Sequence, residues 1–287
     1  MTTNGEIVEK RAYPSPNPTI RLTEITYMSQ GLRVKGLLAE PKASGTYDGF
    51  LYLRGGMQNI GMVRPARVAQ FAAQGFIVFA PYYRGNRGGE GRDEFAGRDR
   101  FDAIYGVDVL KQFCNDNIHV FGFSRGGIMA LWTAILRKDI TSVVTWAGVS
   151  DATATYWERT DMRRMMKRVI GGTPNRVPEA YDARTPLFEV EHITAPVLII
   201  HGLRDENVDI EHARQLEFYL KDAQKNYETW YYEKLTHFFP FGGKSISSTN
   251  AVQLDEDTIN SMGAVQKVKI VVDFFGKDRA RDLTGRL

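Results

Sequence analysis

Between residues 20 and 232 the chain alternates short apolar runs with stretches of helical spacing. Residues 20–28 and 32–38 alternate apolar and polar positions on either side of Ser29-Gln30-Gly31, which predicts an antiparallel pair. Residues 49–53 (GFLYL), 76–80 (FIVFA), 118–123 (IHVFGF), 142–146 (SVVTW) and 196–200 (PVLII) are near-continuous apolar runs. That is the pattern of strands covered on both faces. Residues 227–232 (YETWYY) form a further strand candidate. Helical spacing recurs over 63–73, where Gly75 supplies a C-terminal stop, and over 102–113, 125–137, 210–222 and 259–275. Strands alternating with helices predict an α/β fold with a mainly parallel central sheet and helices on both faces. The stretch 151–189 breaks the alternation and is expected over one end of the sheet. Residues 1–18, polar and with three prolines, read as a flexible arm, and 19–287 as a single domain.

Composition narrows the classes of function. The 37 basic and 34 acidic residues are interleaved and leave a net charge of +3, so no basic stripe points to nucleic acid. Cys114 is the single cysteine, which excludes an intrachain disulfide and argues against a structural zinc site. The N-terminus lacks the apolar core of roughly 7–15 residues found in a signal peptide. No stretch approaches the ~20 apolar residues that span a bilayer. The expected location is the cytoplasm, with no membrane partner.

Ligands of open parallel sheets bind beyond the carboxyl ends of the strands, so the residues after each buried run carry the chemistry. The run 118–123 continues into Gly122-Phe123-Ser124-Arg125-Gly126-Gly127, a G-x-S-x-G between a strand and a helix. Such a turn holds serine in a strained conformation with its hydroxyl presented. A serine hydroxyl needs a base, and five histidines are available. His119 lies inside a strand run, His192 and His212 in polar segments expected to be exposed, and His201 at a strand end ahead of the acid. His237 follows the last strand candidate and alone fits the order Ser…Asp…His. The orienting acid is expected just past 196–200, where Asp205 stands, with Glu206 as runner-up.

Four segments resemble the prolyl oligopeptidase family of serine peptidases, in its catalytic domain. They are Tyr82-Tyr83-Arg84-Gly85-Asn86 with Gly88-Gly89-Glu90-Gly91, the G-x-S-x-G-G of 122–127, the H-G-x-x-D-x-x-V of 201–208, and Thr236-His237-Phe238. The resemblance covers about 20–276 and implies an α/β-hydrolase fold with Ser124, Asp205 and His237 as the catalytic triad. It implies oxyanion donors from the backbone near Arg54 and Gly55 and from the N–H of Arg125, and a pocket lined by Val149 and Val208. Arg54 stands where the family usually has Tyr or His, Arg125 where it usually has Tyr, and Ala152 at a usually aromatic position. Family members often carry a β-propeller that gates this domain; none is expected here.

Other patterns carry less. The Gly-rich 85–91 opens no helix and is not read as a phosphate loop, and Gly243-Lys244-Ser245 lacks the first glycine of one. The basic 159–168 reads as a solvated amphipathic helix, and 237–257 as a flap or a partner contact. The expected activity is two-step acyl transfer to water without metal or organic cofactor, most directly a peptidase acting on short peptides. The alternatives are a carboxylesterase acting on small esters and an inactive hydrolase-like binding protein; assembly as a homo-oligomer is left open.

Overall fold

The computed structural model describes residues 3–237. The predicted helix over 259–275 and the flap over 238–257 lie outside the described residues. The strands are β1 (Ile7–Tyr13), β2 (Ile20–Ser29), β3 (Leu32–Pro41), β4 (Asp48–Leu53), β5 (Phe76–Pro81), β6 (Ile118–Phe123), β7 (Ser142–Trp146), β8 (Val197–Gly202) and β9 (Tyr227–Tyr232). They form one sheet in the order β1-β2-β3-β5-β4-β6-β7-β8-β9. β1, β2, β3 and β5 pair antiparallel, and from β5 to β9 every neighbouring pair is parallel. All six residues of β5 and of β8 are buried, as their continuous apolar runs require.

The chain start differs from the loose arm expected of it. Ile7–Tyr13 is strand β1, paired antiparallel with β2 from Ile7↔Tyr27 to Tyr13↔Leu22. Five of its seven residues are exposed, so it carries no buried face that a hydrophobic pattern could betray. It is held by ladder hydrogen bonds, and charges such as Glu9, Lys10 and Arg11 discourage further pairing at the edge.

Helices α1 (Pro65–Ala72), α2 (Arg100–Leu110), α3 (Arg125–Leu136) and α7 (Ile210–Asp222) cover the sheet on both faces. The two-residue period of the strands sorts their side chains. Phe50, Val78, Phe121, Val144 and Leu198 join Val68 and Phe71 of α1 on one face. Leu51, Phe79, Val120, Val143 and Ile199 face the opposite way, into the cluster that holds α2, α3 and α7. The helix predicted from 63 starts at Pro65, where a missing N–H costs nothing.

The interrupting stretch folds as α4 (Ala152–Glu158), α5 (Arg163–Ile170), α6 (Pro178–Asp182) and a 3-10 turn (Pro186–His192), inserted after the carboxyl end of β7. Ala152, Tyr156, Met166, Ile170 and Tyr181 close a small third core with Met57 and Phe95. Helix α5 buries Met166 and Ile170 and exposes Arg164, Lys167 and Arg168, the amphipathic pattern expected of it. Among the described residues no helix is long and apolar enough to cross a membrane.

Phe50 stacks on Phe71 at 4.5 Å and on Phe121 at 5.9 Å between ring centroids, so it joins β4 to α1 and β6. Phe50→Ala should lower stability by about 3–5 kcal/mol, read as a reduced urea midpoint.

Candidate active site

Ser124 separates β6 from α3 with φ 55° and ψ −125°. A non-glycine residue held so costs of order 1–3 kcal/mol, and its neighbours fix it there. Its N–H donates to Trp146 O at 3.0 Å, and its own carbonyl accepts from Gly127 N at 2.8 Å and Val149 N at 2.9 Å. The glycines of the motif mark places with no room for a side chain. A Cβ on Gly122 would lie 2.1 Å from Gly126 O, and one on Gly126 2.0 Å from Leu53 O. Gly55 lies against the serine itself, where a Cβ would come within 2.7 Å of Ser124 Cβ and 3.2 Å of its Oγ.

Asp205 and His237 meet at the same end of the sheet. Asp205 follows β8 with its carboxylate fully buried. Its Oδ1 accepts from Asn207 N at 2.8 Å and Val208 N at 2.9 Å, and its Oδ2 faces His237 Nδ1 at 2.8 Å. A carboxylate only accepts, so Nδ1 is the donor in this contact. The His237 ring lies against Phe123, the residue before Ser124, with centroids 4.9 Å apart. Glu206, the runner-up acid, is exposed.

The other histidines are accounted for by their surroundings. His201 donates from Nε2 to Val208 O at 2.9 Å, and burial pushes its pKa down, so it braces the acid loop as a neutral ring. His192 is exposed, as expected. His212 is a correction: it is buried, with Nδ1 accepting from the N–H groups of Ser150 and Asp151 at 3.3 Å each and Nε2 at 3.2 Å from Glu158. The apolar stripe of α7, through Ala213, Leu216 and Leu220, carries position 212 inward with it. His119 stands at the opposite end of the sheet, its Nδ1 2.8 Å from Ser142 Oγ and its Nε2 3.5 Å from Asp48 Oδ2, all three residues buried.

Arg54 and Arg125 are both buried. Arg54 Nη1 donates to the carbonyls of Gly55 and Ile60, each at 3.1 Å, and Nη2 donates to Tyr82 O at 3.2 Å. It thereby closes the loop after β4 on itself. Arg125 lies over the Tyr83 ring, pairs with Asp93, and comes within 3.6 Å of Asp99. Sequence reasoning missed these two carboxylates; the only signal was the density of acids over 93–102, ordinary in a surface loop. Burial opposes ionisation of Asp93, but Arg125 and Arg54 outweigh it and hold the carboxyl below its usual range. Asp99 receives less: burial, reinforced by Asp93, pushes it up to about 7 against the pull of Arg125. Val149 and Val208, the expected pocket residues, are also buried; their N–H groups brace Ser124 and Asp205 respectively.

A parallel sheet bearing a serine on a strained strand-to-helix turn, with an acid and a histidine from the next loops, defines an α/β-hydrolase and a serine hydrolase. Residues 62–254 match the prolyl oligopeptidase family, and the chain belongs to it. It is 60% identical to the uncharacterized peptidase YtmA of Bacillus subtilis (strain 168) over 82% of this chain and 93% of that protein. Among solved structures it resembles the uncomplexed acylaminoacyl peptidase of Pyrococcus horikoshii, with TM-score 0.71 and 18% identity, over 92% of this chain and 42% of that one. It also resembles the acetyl xylan esterase from Paenibacillus sp. R4, with TM-score 0.64 and 16% identity, over 80% of this chain and 83% of that one.

The raised pKa of Asp99 sets a pH dependence. A protonated Asp99 favours the folded state, a contribution complete below the unfolded carboxylate range and lost as pH rises through about 7. Asp99→Asn keeps an acceptor for the Ala96 N–H and cannot ionise. The melting temperature of the variant relative to the parent should therefore rise between about pH 4 and pH 8. A constant difference over that range in thermal melts at fixed ionic strength would contradict the assignment.

Proposed function

We propose that the enzyme cleaves short peptides by acyl transfer through Ser124, with His237 as general base and Asp205 as the group that orients it. The observation that carries this reading is the Asp205 Oδ2–His237 Nδ1 contact of 2.8 Å, beside a serine held at φ 55°. His237 takes the Ser124 proton at Nε2 as Oγ attacks the carbonyl carbon, and Asp205 stabilises the imidazolium without taking the proton itself. The oxyanion receives the N–H of Arg125, which as the first residue of α3 has no intrahelical partner, and a backbone N–H of the 54–55 segment. Support for that second donor is the closeness of Gly55 to Ser124 Oγ. His237 then protonates the leaving amine, and water, activated by the same base, releases the acyl group.

Membership of a peptidase family supports peptide substrates. Proline selectivity lacks such support, because the aromatic expected after the nucleophile is a buried arginine engaged with Asp93.

A fluorophosphonate should label Ser124, identified by peptide mass, and Ser124→Ala should abolish labelling. His237→Ala should reduce turnover of an activated ester by on the order of 10³-fold or more. Labelling at another residue, or undiminished turnover, would remove the corresponding role. Comparing p-nitrophenyl esters with aminoacyl anilides separates peptidase from esterase: anilide turnover is expected, and esters cleaved alone would refute the peptidase reading.

A further inference from the structure

The Gly-rich turn after β5 has no part in the triad, yet it forms one wall of a cleft of about 350 Å³ whose opposite wall is the loop after β4. Gln58, Asn59, Met62 and Val63 contribute from one side, and Tyr82 and Arg87 from the other. Arg54, which lines the cleft, precedes Gly55 in the chain, and a Cβ on Gly55 would come within 2.7 Å of Ser124 Cβ.

Strand order gives this cleft a definite side. Ser124 follows β6; Val149 and Val208 follow β7 and β8 on one flank, and the cleft is built from the loops after β4 and β5 on the other. An acyl group lodged on the β7–β8 flank leaves the departing amine on the β4–β5 flank.

The lining has a sign. Among the described residues, none that lines the cleft is acidic. Arg54 is committed to carbonyls and to Asp93. Arg87 is exposed, stacked over the Tyr82 ring at 5.2 Å, with its Nη1 donating to Tyr13 Oη at 3.4 Å, and among the described residues no carboxylate pairs with it. Gln58 and Asn59 add exposed amides, and Met62 and Val63 an apolar surface.

Both walls are stiff. Arg87 is held at φ 49° in a turn closed by Gly85 N→Glu90 O at 2.8 Å and Gly89 N→Asn86 O at 2.9 Å. The Asn86 amide donates to the carbonyls of Tyr83 and Arg84 and so fixes the base of that turn. In the opposite loop, Ile60 N donates to Met57 O at 2.9 Å, inside the closure made by Arg54. A cation presented on a fixed backbone beside amide groups recognises a carboxylate at low ordering cost. The volume is at the small end of ligand pockets, room for a residue or two rather than a long chain.

We infer that this cleft is the leaving-group subsite, and that Arg87 selects peptides whose departing portion ends in a free α-carboxylate a residue or two beyond the scissile bond. The inference rests on the assignment of Ser124 as nucleophile.

The test uses three peptides with a common acyl portion: one ending in a free carboxylate, the same peptide as its C-terminal amide, and an amide carrying Asp after the scissile bond. Product release is followed by chromatography. The free acid should exceed its amide in kcat/KM by about tenfold, the worth of one charge-assisted contact, with the preference shrinking as salt is raised. In Arg87→Gln that ratio should fall to about one, and in Arg87→Lys it should be partly retained; each ratio is internal to its variant. Equal cleavage of acid and amide by an enzyme that fluorophosphonate labels at Ser124 overturns the subsite and leaves the hydrolase reading intact. A preference for the Asp amide over the free acid overturns the α-carboxylate assignment. Peptide cleavage without labelling of Ser124 overturns the underlying reading instead.

Discussion

The start of α3 is pressed so closely onto the end of β4 that the chain at Gly126 has no room for a Cβ beside the Leu53 carbonyl. Much of the site depends on this contact. It brings the loop after β4 against Ser124, so that Gly55 and the serine touch, and α3 begins at the next residue. The strain at Ser124 is offset nearby. Both backbone polar groups of the serine are hydrogen-bonded, and α3 is buried from Arg125 through Ile135. A helix sunk that deeply cannot shift to relax one residue without opening core on several sides.

The buried ions are a second consequence of that closeness. Arg125, at the first position of α3, has nowhere to go but inward, and a lone buried guanidinium would be very costly. Asp93 supplies the opposite charge, Asp99 stands beside it as a further acceptor, and Tyr83 provides a ring face for both Arg125 and Arg54. Breaking such a group by removing one partner strands the other, typically at about 3–5 kcal/mol, although the intact group adds little net stability. Its value here is geometric. It ties the loops after β4 and β5 to the helix that follows Ser124, turning segments that are ordinarily mobile into fixed walls.

The parts of the molecule that bury apolar surface were legible in the sequence. Strands β4 to β8 were marked by continuous apolar runs because helices cover both faces, and the serine, acid and histidine stood out because each follows such a run in a fixed chain order. What escaped prediction is polar. Strand β1 pairs through its backbone and exposes most of its side chains, so no period records it. Asp93 and Asp99 are buried by contacts with arginines distant in sequence, and His212 is carried inward by the apolar stripe of its helix while its ring finds backbone donors. Burial of a polar group is decided by its partners, and a sequence pattern does not list them.

The chain holds a comparison that separates a site from a coincidence of residue types. Ser142, His119 and Asp48 stand in contact in the order serine, histidine, aspartate, with a serine-to-imidazole distance of 2.8 Å. Ser124, His237 and Asp205 involve the same three side chains. The first set lies at the amino ends of β4, β6 and β7, with Ser142 in regular strand and wholly buried. With its residue wholly buried, the Ser142 hydroxyl is closed to a carbonyl carbon arriving from solvent. The second set lies at the carboxyl ends, where the strands release their chains into loops and Ser124 is half-exposed on a turn that no regular element would adopt. On the proposed reading, reactivity is a property of position before it is one of residue identity: of the two Ser–His–Asp groupings, the one at the carboxyl ends of the strands has a half-exposed serine, and the other has its serine wholly buried.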